Sequence, residues 1–97
     1  MVPEISKMMT LSTGHISEET NQVLAINDQI NGYPVSVYKK ENYGYFIYFD
    51  KKLMKDYKNT LSEDLYACIK YANKHRCDIL CLDCDGPEVE DLSIYDW

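Results

Sequence analysis

Long hydrophobic runs are missing from this sequence. Its longest uncharged stretches, such as Met8 to Ser17, are too short and too polar for the about 20 apolar residues of a bilayer-spanning helix, so neither a transmembrane segment nor a membrane partner is expected. A secretory leader is missing too: Met1-Val2-Pro3-Glu4-Ile5 has no positive start and no apolar run, and the chain is expected to stay in the cytoplasm. Positive charge is in deficit, with 10 Lys and Arg against 16 Asp and Glu, a net charge of -6 and a pI near 4.7. That balance disfavours indiscriminate attraction to nucleic acid or anionic lipid. Internal repeats and low-complexity segments are absent. Cysteines number 4, at positions 68, 77, 81 and 84, three of them crowded around one predicted strand, a poor layout for a disulfide framework.

What is present suits one folded unit. The 97 residues, 45% of them hydrophobic and 27% charged, can build a modest core, and residues 1–97 are read as one domain. Residues 1–7 are expected to be flexible, and 88–97 to form an acidic, aromatic tail packed on the domain. Tyrosine is abundant, at 9; its apolar ring and water-tolerant hydroxyl suit a half-wet sheet or a contact surface. Charge is uneven. Lys39, Lys40, Lys51, Lys52, Lys55 and Lys58 make the middle basic, whereas Asp83, Asp85, Glu88, Glu90, Asp91 and Asp96 make the end acidic.

Met8 to Thr13 mixes apolar and hydroxyl side chains and runs into Gly14, as a short strand before a turn does. Ser17 then reads as a helix N-cap, with Glu18 and Glu19 in the first turn and Thr20, Val23, Leu24 and Asn27 as the inward stripe. Asn31-Gly32-Tyr33-Pro34 has turn chemistry. Val35 and Val37 alternate with Ser36 and Tyr38, and across Glu41-Asn42-Tyr43-Gly44 the run Tyr45-Phe46-Ile47-Tyr48-Phe49 completes a hairpin whose second strand is central. Asp50 to Asn59 reads as a polar connector. Thr60-Leu61-Ser62-Glu63 has capping-box spacing ahead of a second helix with Leu65, Cys68, Ile69 and Ala72 inward. Ile79-Leu80-Cys81-Leu82 is a buried strand. The order strand, helix, strand, strand, helix, strand gives an α+β two-layer sandwich of βαββαβ, ferredoxin-like order, with a C-terminal extension.

Four groups of residues can carry chemistry, and each has a plainer explanation. His75, Cys77, Cys81 and Cys84 are zinc-type ligands, yet only half of a paired CxxC signature is present and small buried cysteines account for them, so no metal site and no cofactor is expected. Asp83, Asp85, Glu88, Glu90 and Asp91 are hard oxygen donors, but Asp83-Cys84-Asp85-Gly86 is only the opening of a calcium loop, and an acidic turn explains it. Ser12, Thr13, Gly14 and His15, before a helix N-terminus, form the candidate ligand-binding turn; hydroxyls capping local backbone are the plainer reading. If the chain is catalytic, His15 is the first candidate, partnered by Asp83 or Asp85. Tyr38, Tyr43, Tyr45 and Tyr48 among lysines loosely resemble a stacking platform, but ribonucleoprotein signatures are absent and the chain is acidic.

Those residues carry a resemblance. The blocks Leu11-Ser12-Thr13-Gly14-His15-Ile16-Ser17-Glu18-Glu19-Thr20, Tyr43-Gly44-Tyr45-Phe46, Leu61-Ser62-Glu63-Asp64-Leu65, Cys77-Asp78-Ile79-Leu80-Cys81-Leu82-Asp83, Asp85-Gly86 and Leu92 to Trp97 resemble an uncharacterised family of small bacterial proteins. That family is a domain of unknown function met mostly on plasmids and conjugative elements. The resemblance implies a mobile-element setting and supplies no mechanism. It makes the turns at Ser12 to His15 and Asp83 to Gly86 the expected functional surface, and Cys84 departs from its pattern. The leading expectation is a non-enzymatic interaction or regulatory protein that binds another protein through Glu88, Glu90, Asp91, Tyr95 and Trp97 together with the tyrosine-rich sheet. The alternative is a small metal-assisted hydrolase or ligand-binding domain using His15 with Asp83 or Asp85. A homodimer is expected only by analogy with paired ferredoxin-like domains.

Overall fold

Apolar side chains two apart in four short runs and three or four apart in the helices demand a sheet with helices against it. The structure, a computed structural model, describes residues 2–97 and has that form. In chain order it contains strand β1 (Met8–Ser12), helix α1 (Glu18–Ile26), strands β2 (Ser36–Lys40) and β3 (Gly44–Tyr48), helices α2 (Met54–Thr60) and α3 (Glu63–Lys74), and strand β4 (Ile79–Asp83). Single turns of tight helix at Thr13–His15 and Lys51–Leu53 precede α1 and α2. None of the helices among the described residues is long and apolar enough to cross a membrane.

The sheet is four-stranded and mixed, in the order β1-β4-β3-β2. β1 runs parallel to β4 with Leu11 opposite Leu82, and the remaining pairs are antiparallel. A ferredoxin-like sheet would place β1 between β4 and β3; here β4 takes the inner position instead. The sequence of β4 explains this choice. Leu80, Cys81 and Leu82 are all fully buried, so the strand needs cover on both faces and a neighbour on each side, whereas β1 carries Thr10, Ser12 and an exposed Met8 and tolerates the edge.

Side chains alternate between the two faces. Leu11, Leu80, Leu82, Tyr45, Ile47 and Val37 form one face, and join Leu24 of α1, Tyr57 of α2 and Leu65, Cys68, Ile69 and Ala72 of α3 in one core. The expected stripe of α3 is buried residue for residue. That of α1 is narrower: Thr20 and Leu24 are buried, but Val23 is exposed and Asn27 caps the helix end. Ser17 caps the start of α1, accepting from the Thr20 N–H.

Two local expectations are corrected. The connector after Asp50 is mostly helical, because Tyr57 is buried and its hydroxyl accepts from the Asp50 N–H, pinning α2 to the end of β3. The Thr60-to-Glu63 spacing is not a capping box: Ser62 is the N-cap of α3 without a side-chain capping bond, while the Thr60 hydroxyl donates back to the Asp56 carbonyl within α2. Gly44 opens β3 so near to β4 that a Cβ there would lie 1.7 Å from the Leu82 carbonyl oxygen, at a φ of +157°. Only glycine permits that approach.

Candidate interaction surface

The turn after β1 is built by short polar bonds. Ser12 Oγ accepts from the Gly14 N–H at 2.9 Å, closing the tight turn that delivers His15 inward. His15 is 2% exposed, and both of its ring nitrogens are engaged. Nε2 accepts the Val89 N–H at 2.9 Å, so the proton sits on Nδ1, 2.9 Å from the Ser93 carbonyl, since a carbonyl can only accept. The imidazole thereby joins two points of the tail to the turn. Further along, the Tyr95 N–H donates to the Gly14 carbonyl and the Trp97 indole N–H to the Ile16 carbonyl, both at 2.8 Å. The tail is an ordered arm without strand or helix. Val89 and Leu92 pack on the core, and Glu88, Glu90 and Asp91 face solvent.

The N-terminus of α1 is also occupied from within the chain. The Asp64 carboxylate, from the first turn of α3, accepts the Ser17 N–H at 2.6 Å and the Thr20 hydroxyl at 2.9 Å. Burial alone would raise the Asp64 pKa, but hydrogen bonds from the Ser17 N–H and then from the Thr20 and Ser62 hydroxyls hold it below the ordinary carboxylate range. A carboxylate already fills the place an anion would take. Sequence reasoning missed Asp64, whose only signal was an acid beside an apolar helix stripe.

At the sheet end nearest the tail, Ser12, Asp83, Gly44 and Lys40 lie side by side across the four strands. Lys40 Nζ is 2.7 Å from Asp83 Oδ2, and the Asp85 N–H donates to the other oxygen of Asp83. The Lys40 bond, then that of Asp85, keeps the Asp83 pKa low, and the same Asp83 contact is the main cause raising that of Lys40. No hydrogen bond links His15 to Asp83 or Asp85 among the described residues. The ligand-type atoms of Asp83, Cys84 and Asp85 lie within 4.8 Å of one another, whereas His75, Cys77, Cys81 and Cys84 form no such group among the described residues. Cys68, Cys77 and Cys81 are buried, and Cys84 is exposed. Burial, then the Asp64 charge, pushes the Cys68 thiol up to about 12.

Among the described residues no helix packs on the other face of the sheet. Across it stand Met8 and Thr10 of β1, Ile79, Cys81 and Asp83 of β4, Phe46 and Tyr48 of β3, and Ser36, Tyr38 and Lys40 of β2. Met8, Tyr38 and Tyr48 are 47%, 45% and 48% exposed. The two tyrosines meet edge to face with centroids 5.6 Å apart, and Lys40 Nζ stands 5.5 Å from the Phe46 ring centroid, a cation over an aromatic face. The tyrosine group read from the sequence therefore divides. Tyr38 and Tyr48 stay on the open face and Tyr43 lies in the hairpin turn, but Tyr45 is buried beneath α1, its hydroxyl bonded to Asn21. A cleft of about 380 Å³ lined by Thr13, Tyr43, Cys84 and Trp97, among others, brings the tail beside that sheet end.

The model of a family of unknown function, the DUF5983 C-terminal domain, matches residues 8–97. The chain belongs to that family. No curated protein and no solved structure matches it. Family membership leaves the activity open, and the geometry of this member carries the functional argument.

Proposed function

We propose that this family member is a non-enzymatic interaction or regulatory module of a bacterial mobile element, acting in the cytoplasm and binding a protein partner. Its contacts are made by the open face of the sheet and the acidic segment that begins beside it. The observation that carries this reading is the uncovered face itself. A monomeric domain has little reason to set Met8, Tyr38, Tyr48 and half-buried Phe46 and Ile79 together toward water, and aromatic anchors with a polar rim are what protein interfaces concentrate. Lys40 and Asp83 neutralise each other there, so the face presents no net charge against a partner. The tail continues directly from it, because the Ser12 N–H of the end rung is bonded to the Pro87 carbonyl at 2.8 Å.

The hydrolase or ligand-site reading gains less support. Both nitrogens of His15 already hold the tail, which leaves no free base in this arrangement, and Asp83 is already paired with Lys40.

A photo-crosslinking side chain at Tyr48, with a control at the exposed Lys70 on α3, tests the proposal in the producing cell. Strong labelling of one protein from Tyr48 but not from Lys70, weakened by charge reversal at Glu88, Glu90 and Asp91 without unfolding, is the expected outcome. Equal labelling from both positions would exclude this face as the interface.

A further inference from the structure

The two edges of the sheet are treated differently. On β2, the Val37 carbonyl accepts the Gln29 N–H at 2.8 Å and the Lys39 N–H donates to the Asp28 carboxylate at 2.8 Å, so the chain covers its own edge. β2 also carries Lys39 and Lys40, charges that oppose the addition of a further strand. On β1 the Lys7 carbonyl accepts from Ile79 of β4. Residues of a strand turn their N–H and C=O alternately to either side, so Lys7, Met9 and Leu11 face β4 while Met8, Thr10 and Ser12 face outward. The Ser12 N–H is taken by Pro87, whereas the outward backbone groups of Met8 and Thr10 have no partner among the described residues. Met8 to Ser12 carries no charge, and neither proline nor lysine interrupts it.

We propose that this edge is closed by a second copy of the same chain, β1 pairing antiparallel with β1 about a twofold axis. The register follows from which groups are free. Met8 of each copy faces Thr10 of the other, each pair exchanging both of its N–H···O bonds, and Met9 meets its own mate on the axis. Pairing ends where Pro87 caps Ser12, and open-ended strand addition is prevented because the twofold pair uses both β1 edges and Asp28 and Gln29 cover β2. The antiparallel sense also sets Lys7 of each copy against Leu11 of the other. The result is a continuous eight-strand sheet whose open faces join through Met8 and Thr10. This association does not depend on the partner reading: labelling from Tyr48 tests that reading whether or not the chain dimerises.

Sedimentation velocity of the full chain from about 10 µM to about 1 mM, the range in which a weak dimer titrates, reads the assembly. Hydrogen exchange at low and high concentration reads the edge. The expected result is a monomer–dimer equilibrium in which the Met8 and Thr10 amides gain protection with concentration and the Met9 amide does not change. Thr10→Pro, which removes an outward N–H at an edge position where proline is accommodated, is expected to weaken dimerisation at least tenfold; Thr10→Val, which keeps the backbone donor, is expected to preserve it. A chain that stays monomeric throughout overturns the proposal. So does a dimer whose Met8 and Thr10 amides exchange at the same rate at both concentrations, a readout that needs no variant to fold.

Discussion

The two faces of one sheet have opposite fates although the same strands supply both. Toward the helices, Leu11, Leu80, Leu82, Ile47 and Val37 are at most 3% exposed and belong to one core with α1, α2 and α3. On the other side, one residue along each strand, Met8, Tyr38 and Tyr48 remain about half exposed, while Cys81 and the end residue Ser12 are buried. The strands are equally regular on both sides, so regular pairing does not decide burial. What decides it is whether an amphipathic helix has a stripe to place there, and the stripes of α1 and α3 are both used on the first face. Stability therefore gathers on one side of the sheet, and the material for recognition is left on the other.

The sharpest way to break that contrast is to truncate one residue on each face. Leu80→Ala, at full burial in the inner strand, is expected to cost about 3 kcal/mol, and Tyr48→Ser on the open face less than about 1 kcal/mol; denaturant titration of both variants gives the difference. Comparable losses would show that the open face is structural after all. The contrast extends to polar groups. Asp64→Asn is expected to cost about 2 kcal/mol, because a buried carboxylate accepting from Ser17 and Thr20 is replaced by a neutral amide. Its pH signature has a definite sign. The folded pKa of Asp64 lies below its unfolded value near 3.9, so its stabilisation is present above that value and is lost as the pH falls through the lower folded one. Melting temperatures at pH 7 and pH 3 should converge between wild type and variant; a constant gap would exclude the carboxylate as the cause. A smaller global effect than at Asp64 is expected from His15→Ala, about 1 kcal/mol for hydrogen bonds lost at the tail. Its local effect is larger: fluorescence of Trp97, the only tryptophan, should shift toward that of a solvated indole. An unchanged spectrum would mean that His15 does not hold the tail.

Several features of the fold were legible because they depend on neighbours in sequence. The 3.6-residue spacing of Leu65, Cys68, Ile69 and Ala72 gave the buried stripe of α3, and Ser17 ahead of two glutamates gave the start of α1. Alternation of Val35 and Val37 with Ser36 and Tyr38 named the faces of β2 correctly. The candidate site was less legible. Ser12 to His15 reads as a reactive turn in sequence, yet the partners of His15 lie 74 and 78 residues away, and the partners of Asp64 on α1 are 44 and 47 residues away. No local pattern announces such bonds. The stretch Asp50 to Asn59 was misread for a related reason: its helix is held by the single buried ring of Tyr57, too sparse a signal to show periodicity.

The sequence by itself determined the α+β class, the identity of most elements and the uneven charge, since these follow from composition and from periodicities of two and 3.6. Tertiary structure alone decided that β4 lies between β1 and β3, that the tail is tied to His15, and that among the described residues one face of the sheet has no helix on it and the outward backbone groups of Met8 and Thr10 have no partner. Each of these outcomes rests on contacts between distant segments, where packing of a whole face and satisfaction of backbone groups outweigh the preference of any single residue.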